Sequence, residues 1–142
     1  MKLKRFMMTR SYSELRRFGL FDDRFEYLKL NGRVGRSTFG FDRYINQKFY
    51  SSYEWKQARQ TVILRDRGCD LGIRGHEITS GVVIHHMNPM NSNDIIHHEE
   101  WIFDPEFLIV TSNMTHNAIH YGDDRQLPKV VASRSPNDTK LW

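Results

Sequence analysis

Val82-Val83-Ile84-His85-His86-Met87-Asn88-Pro89 is the stretch on which the reading of this chain turns, together with Thr115-His116-Asn117-Ala118-Ile119-His120 further on. Three β-branched residues in a row predict a short strand, and Asn88-Pro89 breaks it. The strand closes on two adjacent imidazoles. In the second stretch His116 and His120 stand four residues apart, which puts both rings on one face of a helix. Ser112 or Thr111 can cap that helix, and Gly122 ends it. Four of the seven histidines thus fall into two compact pairs. Imidazole is a common metal ligand and the side chain that titrates nearest neutrality. Three such rings can hold a divalent ion while the fourth moves a proton, which is a full set of parts for metal-assisted hydrolysis.

Upstream of the strand, Leu71 and Ile73 begin an extended pattern that Gly72 and Gly75 loosen. Ile78 then leads to Ser80-Gly81, and the whole predicts a twisted hairpin whose second strand ends at His85-His86. Before it, Ser51-Ser52-Tyr53-Glu54 reads as a capping box. It opens a helix with Trp55, Ala58, Val62 and Ile63 at 3.6-residue spacing, closed by Gly68. Lys56, Arg59, Arg65 and Arg67 leave much of the other face basic, and each could add a salt-dependent contact to phosphate, though Arg65 and Arg67 at the helix end equally suit its macrodipole. Ser11-Tyr12-Ser13-Glu14 is another capping box, for a short helix that stops at Gly19. Asp22 or Asp23 can cap the next helix, which turns Phe25 and Leu28 inward and ends at Asn31-Gly32. Residues 32–42 read as a loop in which Arg33 and Arg36 lie among three glycines and two aromatics. That mixture suits a nucleic-acid backbone as well as it suits a plain linker.

Downstream, residues 90–103 read as a polar loop and Phe107-Leu108-Ile109-Val110 as a short apolar segment. His97-His98 precedes Glu99-Glu100 and reads as exposed, and His76 as a solvated turn residue. The tail from Asp123 holds two of the four prolines and is expected to be extended or poorly ordered.

At 142 residues the chain fits one domain with a modest core. The net charge of +4 hides an asymmetry. Residues 1–74 carry 17 Lys/Arg against 8 Asp/Glu, and residues 75–142 carry 4 against 9. A basic half beside a histidine-rich half points to a polyanion held by one and worked on by the other. No apolar run approaches a membrane span. The start is basic but lacks a secretory apolar stretch. The single cysteine, Cys69, excludes a disulfide framework and an all-cysteine zinc site. A reducing, cytoplasmic setting is the expectation, with Cys69 a small core residue.

The two histidine stretches resemble the HNH endonucleases, the ββα-metal or His-Me finger nucleases. The wider span Trp55 to Gly122 is similar to small HNH proteins often encoded by bacteriophages. The resemblance covers about half the chain and leaves residues 1–50 outside it. It implies that His85 is a metal ligand, that His86 is the general base, and that His116 and His120 complete the metal site. It places the central Asn of the motif near Phe107, where this chain has none; Asp104, Asn91 or Asn93 could pin the loop instead. Related proteins often bind a structural zinc through four cysteines. Here only Cys69 lies at such a place, and Thr115 stands where Cys often precedes the final His, so no structural zinc is expected.

The expected fold is α+β: a ββα-metal core of β-hairpin plus metal-binding helix at 51–122, a basic, mainly helical extension at 1–50, and a polar tail at 123–142. The expected function is a metal-dependent endonuclease acting on DNA, with one divalent ion (Mg, Mn, Ni or Zn). A homodimer or a phage packaging partner fits the resemblance. The alternative from another class is a nucleic-acid-binding module that keeps the metal site without catalysis. A hydrolase of some other phosphate ester is a third reading.

Overall fold

The computed structural model describes residues 9–30 and 43–128. Arg33 and Arg36, the loop they sit in, and the tail beyond Pro128 lie outside the described residues. The described chain is α+β, with six α-helices and one antiparallel pair of strands. In chain order these are α1 (Tyr12–Leu15), α2 (Phe21–Leu28), α3 (Arg43–Tyr50), α4 (Tyr53–Asp66), β1 (Val83–His86), α5 (Ser92–Ile96), β2 (Leu108–Thr111) and α6 (Asn113–Tyr121).

β1 pairs with β2 in the register Val83–Thr111, Ile84–Val110, His85–Ile109 and His86–Leu108. Side chains alternate across a strand, so this small sheet separates two cores. Ile84, Leu108 and Val110 pack with Trp55, Ala58 and Val62 of α4 and with Trp101, Ile102 and Phe107. Met87 and Ile109 pack on the other side with Ala118 and Ile119 of α6 and with Leu15, Phe25, Leu28 and Leu71. Residues 15–30 therefore share a core with the histidine-bearing helix. The Leu30 N–H donates to the Ile119 carbonyl at 2.8 Å.

The far edge of β2 is closed by side chains rather than by a third strand. Asp66 accepts the Val110 N–H at 3.0 Å, and Arg65 donates to the Leu108 carbonyl at 2.7 Å. Both come from the last turn of α4. A short strand with an open ladder edge invites pairing with other chains, and this pair of side chains satisfies it.

Two expectations are corrected here. The strand carrying His85-His86 is the first of its pair, not the second, and its partner is the apolar segment Leu108–Thr111. Residues 69–78 make no strand beside it. Leu71 and Gly72 both have positive φ (53° and 67°), so the short turn Asp70–Gly72 departs from helical geometry and reverses the chain where a strand would continue, with Leu71 fully buried. The only pairing there is an isolated bridge between Cys69 and Glu77. The segment 90–103 is also not a plain loop. Asn91 and Asp94 cap α5 reciprocally, and Glu100–Phe103 forms a 3-10 turn that buries Trp101 and Ile102.

The caps at the other helices are largely as the sequence predicts. Ser11 accepts the Glu14 N–H at α1, and Ser112 accepts the Thr115 N–H at α6. At α4 the cap is Ser52, which accepts the Trp55 N–H, while Ser51 donates back to the Gln47 carbonyl of α3. At α2 the cap position is Leu20, and Asp22 and Asp23 fall in the first turn. Cys69 is a buried free thiol. Among the described residues no helix is long and apolar enough to cross a membrane.

Candidate metal centre

Alternation along β1 sends His85 and His86 to opposite faces of the sheet. His85 is 1% exposed and faces α6. Its ring centroid lies 5.2 Å from that of His116 and 5.2 Å from that of His120. The four-residue spacing on α6 sets the last two rings edge to face on one side of the helix, with their Nε2 atoms 3.0 Å apart. One ring nitrogen from each of the three lies within 4.8 Å of the others. The strand thus supplies one donor and the helix two.

Charge is disfavoured throughout this cluster. Burial holds His85 well below the usual histidine range, and the charges of His116, His120, His86 and Arg10 depress it further. Burial pushes His116 down to about 4, helped by His120 and His86. Burial also lowers His120. All three rings are therefore neutral at pH 7, and the hydrogen bond between the His116 and His120 Nε2 atoms is one that a bound ion would replace.

The donor set fits a divalent cation. Nε2 of His85 is buried and has no hydrogen-bond partner among the described residues. A buried nitrogen left bare costs free energy, and a bound cation would remove that cost. A tetrahedral ion with metal–nitrogen bonds of about 2.0–2.1 Å needs nitrogens roughly 3.4 Å apart. The Nε2 atoms of His116 and His120 stand 3.0 Å apart, and the three donor nitrogens lie within 4.8 Å of one another, a spread that brackets that value. Three neutral imidazoles favour Zn, Ni or Co over Mg by ligand type.

His86 occupies the other face. Its ring stacks on Trp55 with centroids 5.2 Å apart and planes 16° apart, and meets the edge of Trp101. Nε2 of His86 lies 3.0 Å from the Ile102 carbonyl oxygen. A carbonyl can only accept, so Nε2 carries the proton and Nδ1 keeps the lone pair. Burial pushes this histidine down to about 4, with the Ile102 contact opposing.

The three residues expected to pin the loop between the strands have the following places. Asn91 caps α5, Asn93 is exposed, and Asp104 accepts the Glu106 N–H. Phe107, where the resemblance would put an Asn, accepts the Met87 N–H through its carbonyl at 3.0 Å. The group that meets the His86 ring is the Ile102 carbonyl, which no side-chain pattern could have announced.

Among the basic residues singled out, Lys56, Arg59 and Arg67 are exposed. Arg65 is engaged in the fold. It pairs with Asp66 at 2.9 Å, donates to the Pro105 and Leu108 carbonyls, and lies over the Tyr12 ring at 3.6 Å. Its planar fork is occupied by partners inside the chain, so phosphate would have to displace them. His97 and His98 are exposed, as is Asn117. His76 is not a solvated turn residue: its ring stacks on Phe21 at 4.3 Å.

Sequence reasoning passed over Asp70. It is 3% exposed and accepts the Ser112 N–H and the Ser112 and Thr115 hydroxyls. Ser112 was visible as a cap, but nothing in the local pattern marks Asp70 as its partner across 42 residues.

The chain matches no protein-family model, and no curated protein or solved structure matches it at a significant level.

Proposed function

We propose that this protein is a metal-dependent endonuclease of the ββα-metal type, acting on DNA. The observation that carries the reading is the convergence of His85, His116 and His120 from a strand and the following helix. Those three residues would hold one divalent ion, which supplies charge stabilisation to the phosphoryl group and to the departing oxygen. Three protein ligands leave positions for phosphate and water.

His86 has the second role. Its protonated Nε2 donates to Ile102, and its Nδ1 can take a proton from an attacking water. The water oxygen would bond to phosphorus as its proton passes to Nδ1 of His86; the bond to the 3′ oxygen would break, and that oxygen would take a proton from solvent. The products would carry 5′-phosphate and 3′-hydroxyl ends. The scissile phosphate would lie across the edge of β1 that has no strand partner among the described residues, between the two histidine faces. Exposed Lys56 and Arg59, on the helix that stacks against His86, suit the flanking phosphates.

A second reading has its own observation. His86 is stacked, hydrogen-bonded and half-buried, as a core histidine would be. A nucleic-acid-binding module with a structural metal would need nothing more of it.

The test is incubation of metal-stripped protein with supercoiled plasmid and Mg, Mn, Ni, Co or Zn in turn. The nuclease reading expects nicked or linear product with at least one ion, none in EDTA, and none from His86→Ala, which still binds metal. Cleavage by His86→Ala at the parental rate would overturn the mechanism. No cleavage with any ion, beside a salt-sensitive gel shift, would establish the binding module.

A further inference from the structure

Asp70 stands at the N-terminus of α6, brought there from the turn before β1. It is buried, and its own N–H donates to the His76 carbonyl at 2.6 Å, so the turn holds it rigidly. One carboxylate oxygen accepts the Ser112 N–H at 3.0 Å. The other accepts the Ser112 hydroxyl at 2.9 Å and the Thr115 hydroxyl. Ser112 also caps the helix by accepting the Thr115 N–H at 3.2 Å. Thr115 is fully buried and immediately precedes His116.

A helix of nine residues has little stability of its own. Its first turn is therefore set by what satisfies its free N–H groups. Here the cap is gripped by a carboxylate fixed in another segment, and the negative charge also complements the helix dipole. His116 sits in that first turn and His120 in the last. The separation between their rings depends on the first turn keeping its place.

We infer that Asp70, through Ser112 and Thr115, is a positioning residue for the metal site: it sets the geometry and affinity with which His116 joins His85 and His120. The inference rests on the metal site proposed above. Partners hydrogen-bonded directly to a metal ligand typically change affinity by about 10–100-fold when removed; Asp70 acts one residue further out, so the lower end of that range is expected.

The test uses the full chain and cobalt(II), whose visible absorption reports ligand number and geometry, with zinc competition for affinity. Asp70→Asn and Thr115→Val each remove part of the network, and Thr115→Ser keeps the hydroxyl. Expected are affinity losses of about tenfold or more in the first two, with an altered cobalt spectrum, and near-parental binding in Thr115→Ser. Val62→Ala, a core truncation on α4, is the control for general destabilisation and should leave the spectrum unchanged. Parental affinity and spectrum in folded Asp70→Asn and Thr115→Val would overturn the inference, and so would an equal loss in Val62→Ala. If Asp70→Asn fails to fold, the Thr115 pair decides alone. Failure of the parent chain itself to bind cobalt or zinc would overturn the metal reading as a whole, a distinct result.

Discussion

The imidazole of His86 lies flat against the indole of Trp55, with centroids 5.2 Å and planes 16° apart. Trp55 belongs to the apolar stripe of α4 and is 5% exposed. Phe49 and Tyr50 pack on its remaining surface. One residue therefore does two jobs: it anchors α4 to the sheet and fixes the plane of the candidate base. Trp55→Ala should cost about 3–5 kcal/mol by loss of a large buried ring. Trp55→Phe retains a stacking surface and should cost distinctly less. Urea denaturation of the two variants measures the difference, and equal losses would contradict the packing role.

The histidines make stability pH-dependent with a definite sign. Burial holds His86 and His116 at about 4, against an ordinary value of about 6.5. Between those values the unfolded chain binds protons that the folded chain refuses, so stability falls as pH drops through that window. Metal-free protein should show a melting temperature that is flat above about pH 7 and declines from there toward pH 4. With metal bound, protons must also displace the ion, so the decline should be steeper. Thermal melts at a series of pH values, with and without zinc, test this. A flat profile down to pH 4 would show that these rings titrate normally.

Gly122 closes α6 in the left-handed region at φ 64°. A Cβ there would collide with the Leu30 carbonyl oxygen. Gly122→Ala therefore meets both backbone strain and a clash, and should destabilise by more than about 1 kcal/mol. Gly68, also at positive φ, has open space around it, so Gly68→Ala should carry the strain alone and cost less. Denaturation of both variants checks the ordering.

Lys56 and Arg59 are the exposed cations on the helix that stacks against His86. If they meet phosphate, each neutralises one charge and releases counterions. Removing both should lower the slope of log affinity against log salt by roughly 2 for duplex DNA. Arg65→Ala, by contrast, should lower stability more than it changes that slope, because its partners lie inside the chain. Fluorescence anisotropy with a labelled duplex at several salt concentrations measures both.

Much of the local structure is legible from sequence. Ser11, Ser112 and Gly122 act at helix ends as their residue types dictate, and Trp55, Ala58 and Val62 face inward as their spacing requires. Helix α3 turns only Ile45 and Phe49 toward the core, too short an apolar stripe to show a helical period. The α5 segment was missed because its cap, Asn91-x-x-Asp94, lies in a run too polar to show periodicity.

What the sequence determined by itself was the two histidine pairs, the face that His116 and His120 share, and the strand that ends at His85-His86. Each depends on spacing within a few residues, where backbone geometry leaves little choice. Which strand pairs with β1, the separation of His85 from His86 by the sheet, the Ile102 carbonyl at the His86 ring, and Asp70 under the helix cap were decided only by tertiary structure. All four join segments distant in the chain, or use backbone atoms every residue has. No local pattern encodes such meetings; they follow from how two small cores close on either side of one sheet.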